Sequence, residues 1–146
     1  MKIGQELRTQ LDTTHKNTPN QVRSNISFQQ VVRREQQRLH ENELNRLIKD
    51  ITTQGERLAK SRTFKDLARY KSLVKSFIKE AVQFGLELKE ERSWSMNGDS
   101  RKLMIVKEVD EKLIQLTDDL LNQEKESIDI LGLIGEIKGL LINLTA

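Results

Sequence analysis

The stretch Ser127–Leu144 restricts the available folds more than any other part of this chain. Set at about 100° per residue, Ile130, Leu131, Leu133, Ile134, Ile137, Leu140, Leu141 and Leu144 cover more than half of a helix circumference. Asp129, Glu136 and Asn143 leave only a narrow polar edge. A helix that is apolar nearly all round is normally buried. Gly132, Gly135 and Gly139 share one strip of it, and glycine inside a helix costs roughly 1 kcal/mol relative to alanine. The strip therefore predicts a neighbouring element at close approach. A central staple of a helical bundle and half of a dimer seam are both compatible with this pattern.

A chain of 146 residues can bury one real core. Charged residues are abundant, aromatics are few and there is a single proline, a balance that suits long solvated helices with aliphatic seams. The absence of cysteine removes disulfides, thiolate zinc sites and cysteine nucleophiles together. The first residues lack the apolar run of a signal peptide, and Asp129, Glu136 and Lys138 interrupt the last stretch, so no membrane span is expected. A cytoplasmic location is the expectation. The net charge of +3 hides an asymmetry: residues 1–102 carry 21 Lys/Arg against 13 Asp/Glu, or +8, and residues 103–146 carry 4 against 9, or −5. The basic part could face an acidic partner, and the plainer reading is a mixed, solvated surface.

Residues 1–25 are polar and almost without apolar periodicity, and read as a disordered leader to a single domain over 26–146. Ser27, with Gln30 three positions on and Ile26 beside Val31, predicts a helix start. That helix runs to about Lys60 with Leu44, Leu47, Ile48, Ile51 and Leu58 on one stripe, while its first half offers mainly Leu39 to a core. Thr63 and Asp66 predict a new start, and a second helix follows to about Glu90. Its buried half would hold Phe64, Leu67, Tyr70, Val74, Phe77, Ile78, Ala81, Phe84, Gly85 and Leu88, with Lys71 at the margin. Residues 92–102 read as the one clear non-helical interval, either a loop or, through Asn97-Gly98, a small hairpin. A third helix should begin near Leu103–Val106, carry Val106, Val109, Leu113, Leu116 and Leu120, and end before Asn122–Glu126. Ser127 is the expected cap of the closing helix.

Tyr70-Lys71 with Val74 and Phe77-Ile78, Trp94 ahead of Gly98, the run Ile105–Leu113, and the closing Ile137-Lys138-Gly139-Leu140-Leu141 resemble the YaaR-like family over roughly residues 28–146. These are small helical bacterial proteins of uncharacterised function. The resemblance implies an all-helical fold in a bacterial cytoplasm and carries over no catalytic residue.

Tests for chemistry fail on inventory. His15 and His40 are the only histidines. His40-Glu41 opens like a zinc-protease helix, but Leu44 stands where the second ligand is needed, and Gln37 removes a Glu-x-x-His pair. His40 is expected at the surface. The three glycines have neither a preceding strand nor a following Lys-Ser/Thr, so no phosphate loop is expected. No nucleophile elbow is present, and Asp118-Asp119 point about 100° apart on a helix. No catalytic residue, metal ligand or cofactor is expected.

Two functional signals remain. Arg62, Lys65, Arg69, Lys75 and Lys79 gather on one side of the second helix, near Arg92, Trp94, Arg101 and Lys102 in sequence. Such an array could contact phosphates while Trp94 stacks on a base or on a partner's side chain, although a solvated face explains it as well. The second signal is surplus apolar surface on the last helix, which suits a partner helix or a homodimer. The expectation is an all-α, mainly antiparallel bundle of four principal helices with a buried, glycine-containing C-terminal helix. Its expected role is that of a non-catalytic interaction or regulatory protein with a protein partner. Nucleic-acid binding through the second helix and the Trp94 loop is the alternative.

Overall fold

The structure is a computed structural model that describes the backbone of residues 18–89 and 96–146 and the side chains of 27–85 and 100–146. The described residues form four helices: α1 (Thr18–Ser61), α2 (Phe64–Lys89), α3 (Met96–Leu121) and α4 (Ser127–Leu144). No strand occurs among the described residues. The chain divides into the units Met1–Leu39 and His40–Ala146. In the first, Phe28, Val31, Val32 and Leu39 are exposed, so the expected core contribution of Leu39 is not made.

The second unit is an antiparallel bundle built on the predicted apolar stripes. α1 contributes Leu44, Leu47, Ile51 and Leu58 to the core, and α2 contributes Leu67, Tyr70, Val74 and Phe77. Val109, Leu113 and Leu116 come from α3, and Ile130, Ile134, Ile137, Leu141 and Leu144 from α4. Burial of such side chains contributes roughly 1.5–3 kcal/mol each. Cross-helix contacts fix the directions. Gln54 meets Asp66 and His40 meets Glu80, which sets α1 against α2 in opposite senses. Lys112 pairs with Glu136 at 2.8 Å, joining α3 to α4, while the Ser127 hydroxyl donates to the Ala59 carbonyl, joining α4 back to α1.

Several local expectations give way. α1 begins at Thr18, so Ser27 is an internal residue and no cap. α3 begins at Met96, so Asn97-Gly98 lies in helix where a turn or hairpin was expected. Phe64, expected in the buried half of the second helix, is exposed, and the first turn of α2 meets α1 through Asp66 and Leu67 instead. Glu126, in extended conformation, is the N-cap of α4 and forms a reciprocal capping box with Asp129. Ser127 is thereby free to make its bond to Ala59.

The glycine strip of α4 also departs from expectation. A Cβ at Gly132, Gly135 or Gly139 would meet nothing within 4 Å. The close approach occurs instead at Gly55 of α1, where a Cβ would lie 2.7 Å from Ile134 Cγ2 and 3.4 Å from the Tyr70 ring. Helix propensity alone favours alanine at all these positions. The measured signs should nevertheless be opposite. Gly55→Ala should destabilise the protein by about 1–3 kcal/mol through overpacking, whereas Gly135→Ala should stabilise it by up to about 1 kcal/mol. Urea unfolding of the two variants checks this, and a stabilising Gly55→Ala would contradict the close approach.

Candidate functional site

The predicted basic group separates into three parts. Arg62 is structural. It is the first residue past α1 and adopts a positive φ of 52°. Its backbone N–H closes onto the Leu58 carbonyl at 2.8 Å, ending the helix in the left-handed turn usually given to glycine. Its guanidinium then reaches the end of α3, donating to the carbonyls of Lys125 at 2.6 Å, Asn122 at 2.9 Å and Asp119 at 3.3 Å. Helix C-termini leave carbonyls unpaired and carry partial negative charge, so a cation with several donors is the natural cap. This removes Arg62 from the candidate contact surface.

The second part lies on the outer side of α2. Lys65, Arg69, Lys75 and Lys79 are exposed, and Lys71 is half-buried at the margin. Ala68, Ser72 and Ser76 form the floor of a shallow recess whose other lining residues are Lys71, Lys75 and Lys79. Between Asp66 and Glu80 the sequence holds no acid. None of the five basic side chains enters an ion pair among the described residues. Elsewhere four cations are paired: Arg38 with Glu35, Arg46 with Glu43 and Asp50, Arg57 with Asp66, and Lys112 with Glu136.

Of the third part, only Arg101 and Lys102 are among the described residues. Arg101 is exposed on α3. Lys102, also on α3, places its ammonium 3.0 Å from where a Gly85 Cβ would stand, so it spans the gap to α2. Arg92 and Trp94 lie outside the described residues.

A second surface is uncharged. Ile128, Leu131 and Ile142 are exposed large apolar side chains on α4. With Gly132, Gly135 and Gly139 they fall within an arc of about 100°. The buried residues of α4 occupy the other side of the helix.

Two polar clusters were not foreseen from sequence. Asp66 is buried and binds the Ser61 hydroxyl, while Gln54 Nε2 donates to its carbonyl at 3.1 Å and to its Oδ1 at 3.3 Å. Its backbone N–H donates to Thr63 Oγ1 at 3.2 Å, which is the predicted cap of α2. His40 is half-buried rather than at the surface: Nδ1 contacts Glu80, and the ring lies 5.5 Å from that of Phe84. Only the Thr63/Asp66 spacing gave a signal in sequence, because the other partners are distant along the chain. Tyr70 is fully buried with its hydroxyl unpaired, and desolvation pushes the phenol above its ordinary range. Among the described residues no group of His, Cys, Asp or Glu could hold a metal ion. No described helix is long and apolar enough to cross a membrane.

Both polar assignments can be tested by stability. Hydrogen bonds to charged groups contribute roughly 1.5–3 kcal/mol, so Arg62→Ala should lose about 2 kcal/mol in urea unfolding with helicity retained. The Asp66 carboxyl sits below its ordinary range, chiefly through the Ser61 hydroxyl, against an opposing effect of burial. Its lowered value stabilises the fold above the unfolded-state value, and that stability is lost as pH falls through the folded value. Stability should therefore drop on acidification below the ordinary aspartate range, and Asp66→Asn should flatten that drop.

The family described as "Protein of unknown function (DUF327)" matches residues 3–145. The chain is 49% identical over 146 residues to the "Uncharacterized protein YaaR" of Bacillus subtilis (strain 168), covering 99% of each. Among solved structures it is similar to the uncharacterised protein BH1478 of Bacillus halodurans, with 42% identity, TM-score 0.72, and 80% of this chain and 96% of that chain covered. Protein TM1646 of Thermotoga maritima matches with 29% identity, TM-score 0.67 and the same coverage. "Moevan: a designed granulopoietic protein by topological rescaffolding" matches with 34% identity and TM-score 0.69, over 75% of this chain and 94% of that chain. Matched along nearly its whole length by sequence and in its helical architecture by structure, the chain belongs to the YaaR-like, DUF327 family.

Proposed function

We propose that this is a non-catalytic cytoplasmic interaction or regulatory protein that offers helix surfaces to a protein partner, with the outer face of α4 as its docking surface. One observation carries the reading: among the described residues, nothing lies within 4 Å of where a Cβ on the glycines of that face would stand. Three glycines inside a helix cost about 3 kcal/mol relative to alanine, with no internal contact to offset it. Small residues on an exposed uncharged strip let a second backbone come close, and Ile128, Leu131 and Ile142 supply apolar area around them. A second copy of the chain is one such partner, which would make the protein a homodimer.

Nucleic-acid binding is the second reading. It rests on the unpaired basic side chains of α2, without Arg62, and on the exposed ring of Phe64 at the start of that helix, while Tyr70 and Phe77 are buried in the core. It expects salt-sensitive retention on heparin, weakened by Lys65→Glu, Arg69→Glu and Lys79→Glu together.

The docking reading is tested with a photo-crosslinker at position 139 of the full chain in its native cell. A discrete protein adduct, either a partner or a second copy, should form, withstand moderate salt, and disappear in Gly135→Glu and Ile142→Lys. Both variants should melt as the parent does, since both positions are exposed. Capture unchanged in these variants, or recovery of nucleic acid alone, would sink the assignment.

A further inference from the structure

We propose that the outer face of α2 is a second, separate docking site, whose occupant is an acidic amphipathic helix of a partner protein. The sequence sets two rows along this helix at the same period. Ala68, Ser72 and Ser76 stand at i, i+4 and i+8, and Lys71, Lys75 and Lys79 repeat that spacing beside them. In the folded protein the six residues line one recess, the small row as its floor and the lysine row along it.

Each feature constrains the occupant. Rows of i±4 residues are the ridges and grooves by which helices interlock, and small side chains in such a groove bring two helix axes toward the short end of about 8–10 Å. An incoming helix has the same rise, about 6 Å per four residues. Carboxylates at i, i+4 and i+8 on it therefore stay in step with the three ammonium groups over about 12 Å. Charge complementarity fixes the sign: the recess is cationic, and its lysines are not neutralised by any described carboxylate, unlike Arg38, Arg46, Arg57 and Lys112. The serine hydroxyls add donors that a carboxylate can accept. A nucleic-acid backbone would answer the charge but would make no use of the small floor, and the exposed Phe64 at the start of α2 is not among the residues that line the recess. Single exposed ion pairs contribute little, so binding depends on the lysine ladder and the floor acting together.

Two equally charged probes separate pattern from charge. One is a fluorescein-labelled, alanine-rich helical peptide with Glu at i, i+4 and i+8; the other has the same composition with the Glu residues spread around the helix. The full-length protein should bind the ordered peptide about tenfold or more tightly than the spread one, a difference of about 1.4 kcal/mol. Lys71→Glu, Lys75→Glu and Lys79→Glu together should abolish binding of both. Ser72→Leu, which fills the floor without touching charge, should erase the preference at an unchanged melting temperature. Gly135→Glu on α4 should leave peptide binding as it is, so failure here is distinguishable from failure of the α4 face. Equal affinity for the two peptides, no binding of either, or indifference to Ser72→Leu would overturn the proposal. So would tighter binding of a 20-base-pair DNA duplex at the same salt.

Discussion

The rest of this bundle depends on how closely α1 and α4 approach at Gly55. With no Cβ there, Ile134 can seat itself against the α1 backbone and the Tyr70 ring closes over the same point. That contact sets the rotation of α4 about its own axis. Once Ile134 faces α1, Ile130, Ile137, Leu141 and Leu144 turn inward with it, and Gly132, Gly135 and Gly139 turn to the outside. The unpaired Tyr70 hydroxyl belongs to the same constraint. An unsatisfied buried donor costs roughly 1–3 kcal/mol, and the burial of the large ring around the junction outweighs it.

The ends of the helices are held by charge and capping rather than by glycine. Arg62 accepts a left-handed backbone and places three charge-assisted hydrogen bonds at the C-terminus of α3. Asp66 collects Ser61, Gln54 and Thr63 around the α1–α2 turn, and the Glu126/Asp129 box starts α4. Arg38, Arg46, Arg57 and Lys112 close short pairs along or between helices. Among the described residues, the outer face of α2 carries basic side chains in no ion pair, and the outer face of α4 carries exposed apolar side chains beside uncontacted glycines. These two departures from a self-satisfied surface carry the functional reading. Neither involves a poised acid, base or nucleophile, which is why the proposal is one of docking.

Much of the architecture was legible in the chain itself. The stripes of Leu44, Leu47, Ile51 and Leu58, and of Val109, Leu113 and Leu116, are long repeats of helical period, and they face the core as read. The Thr63 cap is local chemistry over three residues and survives intact. Signals that failed were those in which a local preference competed with something stronger. Asn97-Gly98 favours a turn, yet it lies in the first turn of the long helix α3. Ser127 is a good cap, but its hydroxyl is better used on Ala59 while Glu126 takes the capping position. His40 and Arg62 carry no local mark of the partners they find 40 and more residues away.

The sequence by itself determined the helices, the apolar stripes and the all-α class, because hydrophobic periodicity is a property of neighbours along the chain. It also determined the lysine row of α2, since a spacing of four fixes a common side of any helix. Only the tertiary structure decided which glycine meets a neighbour, which arginine is consumed as a cap, and which side of α4 is left facing water. Those outcomes depend on the rotation of each helix against the others, and that rotation is set by side-chain volumes meeting across the core, as Ile134 meets Gly55.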